Sequence, residues 1–133
     1  MRVLVDTTIW SEVFRRKNPS SVYTAALGRL IEQDRVCIIG PIRQEILSGI
    51  ANAGSFEKVR RRLRDFPDLP IRTEDFEKAA EFYNKCRSHG IQGSHIDLLI
   101  CAMAHTYDLA LYTSDADFHH YSRYVPLHFF RSE

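Results

Sequence analysis

Four acidic side chains stand at positions where they could share one chemical task. Asp6 directly follows a short apolar run near the N-terminus, and Asp115 comes just past a similar run near the C-terminus. Glu45 lies one turn into a predicted helix after another apolar run, and Asp97 lies in the first turn of a later helix. Ligands of open parallel sheets bind beyond the carboxyl ends of the strands, where the strand order reverses. The spacing therefore predicts one shared edge, which Asp97 joins if its helix begins over that edge.

Mutual repulsion between these carboxylates predicts a bound cation. Two like charges about 4 Å apart repel by roughly 4 kcal/mol at an effective dielectric near 20, whereas a whole domain is stable by only about 5–15 kcal/mol. The site must therefore take up protons or bind a divalent ion. Ligand sets made only of oxygen favour hard cations. We therefore expect Mg²⁺, with Mn²⁺ as the alternative, and the sequence offers no His or Cys set typical of transition metals.

Such a site is suited to the hydrolysis of phosphodiester bonds. A bound ion lowers the pKa of water and offsets charge on the phosphoryl and leaving oxygens, and a spare carboxylate can orient or deprotonate the attacking water. We expect Asp6 and Asp97 to be the principal ligands. Asp115 would bind the ion directly or through water, and Glu45 would position water or a second ion.

Each acid, taken singly, also fits a structural role. Asp6 could cap a helix, and Asp97 could complete a capping box that begins at Ser94. Glu45 could be a solvated helix residue, and the acids at 115 and 117 could stabilise a turn. Only the joint placement of the acids indicates a functional site.

The elements that must position these acids follow from the apolar pattern. Short apolar runs alternate with longer helical segments, which is typical of βαβ units and a mainly parallel sheet. The predicted strands are Arg2–Val5, Val36–Ile39, Leu69–Arg72, Ala110–Tyr112 and Leu127–Phe130. Helix start and stop signals predict helices over Thr7–Arg16, from Ser20 or Ser21 to Glu32, over Pro41–Gly49, over Ser55–Arg64, from a cap at Thr73, and over Ser94–His105.

Composition narrows the class of protein. The 133 residues contain no repeat or long linker, so we expect a single domain over residues 1–133. A net charge of +1 gives no general electrostatic case for binding nucleic acid. Three widely spaced cysteines, Cys37, Cys86 and Cys101, indicate reduced, buried thiols and a cytoplasmic protein. No signal peptide or membrane span is expected, because no apolar run is long enough.

Four segments carry a resemblance to a known family. They are Val3-Leu-Val-Asp6-Thr-Thr-Ile-Trp10, Gln44-Glu45-Ile-Leu-Ser-Gly49, Asp97-Leu-Leu-Ile-Cys-Ala-Met-Ala104 and Leu111-Tyr-Thr-Ser-Asp115-Ala-Asp-Phe118. In order and spacing, the sequence resembles the PIN-domain ribonucleases, specifically the VapC-like toxins of prokaryotic toxin–antitoxin pairs. Cys101 departs from the small residue that the family often has at its position, and no acid is missing.

The resemblance implies a three-layer α/β/α fold with a five-stranded parallel sheet. It also implies an endoribonuclease that depends on Mg²⁺ or Mn²⁺, cleaves RNA, forms a homodimer and is restrained by a cognate antitoxin protein. Trp10 is most simply a core residue, but in the family this region contributes to the groove that binds the antitoxin, so Trp10 is also a candidate for that contact. The implied catalytic residues are Asp6, Glu45, Asp97 and Asp115, with Asp117 as an accessory acid and Thr8 and Thr113 as hydroxyl groups that hydrogen-bond the acidic site.

Other features leave alternatives open. The basic cluster Lys58–Arg64 could bind RNA phosphates or form a solvated helix face, and the pair His119-His120 favours a surface or packing role. A PIN-type nuclease without an antitoxin would share the same site. A phospho-acceptor signalling domain also places acids at the edge of a parallel sheet, but the sequence has no lysine just after a late strand. A non-catalytic binding module would use the acids only as caps.

Overall fold

The structure is a computed structural model that describes residues 1–15 and 21–132. Arg16 and Ser20, predicted helix boundaries, lie outside the described residues. Within the described residues, strands and helices alternate along the chain. In order they are β1 Val3–Val5, α1 Thr7–Arg15, α2 Val22–Glu32, β2 Val36–Cys37, α3 Gly40–Ser48, α4 Ala53–Leu63, α5 Thr73–Ser88, α6 His95–Thr106, β3 Ala110–Tyr112, α7 Asp117–Tyr121 and β4 His128–Phe129.

The strands form one parallel sheet in the order β2-β1-β3-β4. Val3 pairs with Val36 on one side and with Ala110 on the other. Every residue of β1 and β3 is buried, so helices must cover both faces of the sheet, as the continuous apolar runs predict. From β1 the chain passes first to β2, which pairs with one edge of β1, and later to β3, which pairs with the other edge. The strand order therefore reverses between β1 and β3, which is where an open sheet binds its ligand.

The α/β class is confirmed, but the predicted fifth strand, Leu69–Arg72, is wrong. Just before this segment the chain makes one isolated parallel bridge, between Ile38 and Asp68, and the Leu69 N–H donates to the Ile38 carbonyl at 2.9 Å. Alternate residues donate to the same neighbouring strand, so the preceding donor would be Pro67, which has no N–H. In the other direction the partner strand ends, because α3 begins at Gly40. The described part of the chain therefore has a four-stranded sheet with an irregular segment along the outer edge of β2.

Helix termini follow local signals closely. Ser21 and Ser94 cap α2 and α6 as expected, whereas Thr73 is the first residue of α5 and the cap is Arg72. The Asp75 carboxylate accepts a hydrogen bond from the Arg72 N–H at 2.8 Å, which satisfies a backbone donor at the start of α5. The short helix α7 was not predicted. It matters for the site, because it directly follows Asp115.

The core is built around the central strands and α6. Residues 98–104 of α6 are all buried. Trp10 is only 2% exposed, and its indole N–H donates to the Val5 carbonyl at 3.1 Å. The interpretation of Trp10 as a core residue is therefore confirmed, and its alternative role as an exposed antitoxin contact is not supported by this burial. The three cysteines are free and buried. None of the described helices is long and apolar enough to cross a membrane.

Candidate active site

The four predicted acids come together at the reversal point of the sheet. Asp6, Glu45, Asp97 and Asp115 all line one open cavity of about 420 Å³. Asp6 lies at the end of β1 and Asp115 lies just beyond β3, so the pairing of these strands brings the two together. Asp97 reaches the cavity because α6 begins above this edge, which was the condition set by the sequence. Ser11, Glu12 and Ser114 also line the cavity and were not anticipated.

Two threonine hydroxyls hold the Asp6 carboxylate. Thr8 Oγ1 donates to Asp6 Oδ2 at 3.0 Å, and Thr113 Oγ1 donates to the same oxygen at 2.8 Å. The Ser114 N–H in turn donates to Thr8 Oγ1 at 3.1 Å. Asp6 is 5% exposed, so these bonds satisfy a buried charge. They also tie the end of β1 to the loop after β3.

Tyr121 makes a contact to Asp97 that the sequence analysis missed. Its hydroxyl donates to Asp97 Oδ2 at 2.7 Å. Burial, followed by the neighbouring Asp97, raises the pKa of Tyr121, so the phenol remains an O–H donor at neutral pH. The Asp97 N–H donates to Ser94 Oγ at 3.0 Å, which is half of the predicted capping box. No local pattern identifies Tyr121, because its partner is 24 residues away in the sequence.

Three of the acids are close enough to share one ion. Oxygen atoms of Asp97, Asp115 and Asp117 all lie within 4.8 Å of one another. Asp115 Oδ1 accepts the Asp117 N–H at 2.9 Å, which forms a turn of the kind that aspartate favours. This group includes Asp117, the acid expected to be accessory, although Asp117 lines a neighbouring cavity of about 280 Å³. Asp6 lines the main cavity with Asp97 and Asp115 but is not part of the group.

The electrostatics of the cavity match an ion site. Glu45 is an exposed residue, but partial desolvation of its carboxyl group raises its pKa, and the charges of Asp6 and Asp97 raise it further. The pKa of Asp97 is also raised, first by burial, against the lowering effect of its hydrogen bonds to Tyr121 and Ser94. Within the described part of the chain, no lysine or arginine lines this cavity. A set of carboxylate oxygens without a cationic side chain fits a hard divalent cation.

The other candidate residues lie elsewhere. Arg60 and Arg61 in α4 pair with Glu57 of the same helix, and the described cavity contains no residue of the Lys58–Arg64 cluster. His119 stacks on Phe129 with ring centres 4.4 Å apart. His120 lines a separate cavity of about 280 Å³. These placements favour the interpretation that Arg60 and Arg61 belong to a solvated helix face. They also favour a packing role for His119.

Comparisons with known proteins agree with this architecture. A family model described as PIN domain matches residues 3–124. Ribonuclease VapC11 from Mycobacterium tuberculosis is 32% identical over 120 residues, covering 87% of this chain and 88% of the relative. VapBC2 from Rickettsia felis, solved bound to a DNA fragment from its promoter, has a TM-score of 0.80 at 18% identity and covers 98% of each chain.

A second solved structure gives the same result. A toxin–antitoxin complex from Klebsiella pneumoniae has a TM-score of 0.69 at 20% identity, covering 87% of this chain and 89% of that chain. At such identities the structural matches show the shared fold. The family model and the relative with 32% sequence identity show the family to which the chain belongs. The chain belongs to the PIN-domain family, together with the VapC ribonucleases.

Proposed function

We propose that this protein is a metal-dependent endoribonuclease that acts as the toxin of a toxin–antitoxin pair. The observation that carries the proposal is the convergence of four acids, from chain positions 6 to 115, on one cavity at the reversal point of the sheet. The fold belongs to the PIN-domain family, and curated relatives that cover most of the chain are named ribonucleases.

The acids divide into ligands and a candidate base. Asp6, Asp97 and Asp115 would hold Mg²⁺ or Mn²⁺, with Asp117 as an accessory ligand, since oxygens of the last three lie within 4.8 Å. When bound, the ion would polarise the phosphodiester and lower the pKa of water. Glu45 would orient or deprotonate the attacking water, because it lines the same cavity and lies outside the group of acids whose oxygens are within 4.8 Å of one another.

Hydroxyl groups keep these acids in place. Thr8 and Thr113 donate to a single oxygen of Asp6, Oδ2, so Oδ1 is the oxygen that would be available to hold the ion. This arrangement fixes the position of the negative charge before substrate binds. Fixed charges and dipoles are effective in catalysis because they need no reorganisation during the reaction.

The relatives support a proposal for the substrate and the inhibitor. We propose RNA as the substrate, a cognate antitoxin protein as the inhibitor, a homodimer as the assembly and the cytoplasm as the location. Support for RNA comes from the relatives named VapC ribonuclease. Support for an antitoxin comes from the fold shared with a solved toxin–antitoxin complex.

Cleavage of RNA by the purified protein tests the proposal. We expect cleavage in Mg²⁺ or Mn²⁺ and none in EDTA. Asp6→Asn and Asp97→Asn should each reduce cleavage by more than about 100-fold, since losing even an outer-shell partner costs about 10–100-fold. In a cellular assay, expression of the wild type should arrest growth and expression of Asp6→Asn should not.

The matched control is Asp34→Asn. Asp34 is exposed, precedes β2 at the opposite edge of the sheet, and has a φ of 54° that asparagine also tolerates. This variant should cleave like the wild type. Cleavage that persists in EDTA and in both site variants would refute the proposed function.

A further inference from the structure

The hydrogen bond between Tyr121 and Asp97 links a core aromatic residue to the candidate ion site. We propose that Tyr121 is a positioning residue, which holds the Asp97 carboxylate in the orientation that binds the divalent ion. This inference rests on the proposed function and deepens it. It assigns a role to a residue that the motifs of the chain do not mark.

The geometry of the contact is that of a strong, fixed hydrogen bond. The Tyr121 O–H lies 2.7 Å from Asp97 Oδ2, within the range of bonds to charged acceptors and at their longer end. Tyr121 is 1% exposed and packs edge-on against Phe118, with ring centres 5.4 Å apart and planes at 89°. A buried ring packed in this way cannot swing its hydroxyl aside without disturbing the core.

The backbone before α6 confines the same ring from another side. A Cβ atom placed on Gly93 would lie 3.1 Å from Tyr121 Cε1 and 2.4 Å from Leu98 Cδ2. An added Cβ would therefore force the end of the Leu98 side chain to move and would press tightly on the ring. The backbone that carries the Asp97 side chain is fixed in turn, because the Asp97 N–H donates to Ser94 Oγ. Donor and acceptor are thus both held in place by the fold.

The position of Tyr121 also connects separate parts of the ion site. Helix α7 carries both Tyr121 and Asp117, and it directly follows Asp115. One short helix therefore supplies an accessory acid and the hydrogen bond that orients Asp97 from α6. Residues that hydrogen-bond metal ligands in this way typically account for about 10–100-fold of metal affinity.

A purely structural role is the competing explanation. A buried tyrosine hydroxyl needs a hydrogen-bond partner, and Asp97 could be no more than that partner. In this case, removing the hydroxyl would lower the stability of the protein and leave the affinity of the folded protein for metal unchanged. Stability and metal affinity therefore have to be measured separately.

Calorimetric titration with Mn²⁺ tests the proposal on Tyr121→Phe, which removes only the hydroxyl. We expect the dissociation constant for Mn²⁺ to rise by about 10–100-fold, with urea denaturation confirming that the variant is folded. Tyr107→Phe is the matched control. The Tyr107 hydroxyl also donates a hydrogen bond, to the Pro70 carbonyl at 2.9 Å, but it lies at the far end of α6. The affinity of Tyr107→Phe for Mn²⁺ should therefore equal that of the wild type.

Gly93→Ala provides a second variant that keeps the hydroxyl but displaces the ring or Leu98. Weaker Mn²⁺ binding by both Tyr121→Phe and Gly93→Ala would support the proposal. If Asp97→Asn abolishes Mn²⁺ binding while Tyr121→Phe binds as tightly as the wild type, the positioning role is refuted and the proposed function stands. If the wild type binds no Mn²⁺, both are refuted.

Discussion

At the scale of single residues, surroundings decide what an acid does. Asp75 and Asp97 both lie in the first turn of a helix, and either could be a capping residue. Asp75 does bond to the N–H of its cap. Asp97 instead faces other acids, accepts a hydrogen bond from Tyr121 and has a raised pKa. The same residue type at the same helical position thus serves folding in one case and a charged site in the other.

Glu45 offers a test of this charged environment through pH. Its pKa is raised in the folded protein, first by burial and then by Asp6 and Asp97. A carboxyl group of this kind stabilises the fold most below its unfolded pKa, and that contribution is lost as pH rises through the folded pKa. In metal-free protein, Glu45→Gln should therefore match the wild type near pH 4, roughly the unfolded pKa, and be the more stable at pH 7.

Urea denaturation in EDTA between these pH values measures the effect. Glu77→Gln, at an exposed position of α5, is the matched control. A difference between Glu45→Gln and the wild type that does not grow with pH would contradict the prediction.

At the scale of elements, helix endings set the direction of the chain into the sheet. After α2, α5 and α6 the backbone turns through a left-handed residue, which is Asp34, Gly90 and Asp108 respectively. The residue after each one donates its N–H back into the helix, as Arg35 does to the Leu30 carbonyl at 3.0 Å. Two of these endings lead directly into β2 and β3. A helix ending of this kind can be predicted from sequence when the left-handed residue is glycine. It is harder to predict when that residue is aspartate.

Two glycine substitutions should have opposite effects on stability. At Gly90, φ is +79° and nothing lies within 4 Å of an added Cβ, so Gly90→Ala carries only backbone strain. It should lower the free energy of unfolding by about 1 kcal/mol. Gly28 lies inside α2 with equal space around it. Gly28→Ala should raise stability by about 0.5–1 kcal/mol, and chemical denaturation of both variants measures the pair. Equal signs for the two changes would contradict the argument.

At the scale of the whole molecule, the site links distant parts of the chain. Asp6 follows β1, Glu45 lies in α3, Asp97 begins α6 and Asp115 follows β3. An ion shared by such residues is bound by the folded chain and not by the unfolded one. Binding of this kind stabilises the fold by mass action.

Metal should therefore raise the melting temperature. At Mn²⁺ concentrations of about 100 times the dissociation constant, the gain is about 2.7 kcal/mol, or roughly 10 °C for a chain of this size. Asp6→Asn should lose most of this shift, whereas Asp34→Asn should keep it. Thermal denaturation with and without Mn²⁺ measures both. An equal shift in the wild type and Asp6→Asn would place the ion elsewhere.

Local sequence was sufficient for much of the fold and for the candidate acids. The apolar runs predicted β1 and β3, and the serines at 21 and 94 predicted helix starts, because strand burial and capping depend on residues within one element. The strand predicted at Leu69–Arg72 failed, since Pro67 cannot donate to β2 on one side of the bridge and the partner strand gives way to α3 on the other. Trp10 was expected to be a core residue, and packing against Phe14 and Phe66 decided between that role and an exposed contact.

Convergence of the acids was decided only by the tertiary structure. Asp6, Asp97 and Asp115 are separated by many residues, and no local pattern reports whether α6 begins over the edge formed by β1 and β3. The bond from Tyr121 to Asp97 spans 24 residues and was invisible for the same reason. Residue type and spacing determine which groups are available for chemistry. Packing between distant elements determines which of them meet, because charge repulsion and hydrogen bonding act over a few ångströms in space, whatever the separation along the chain.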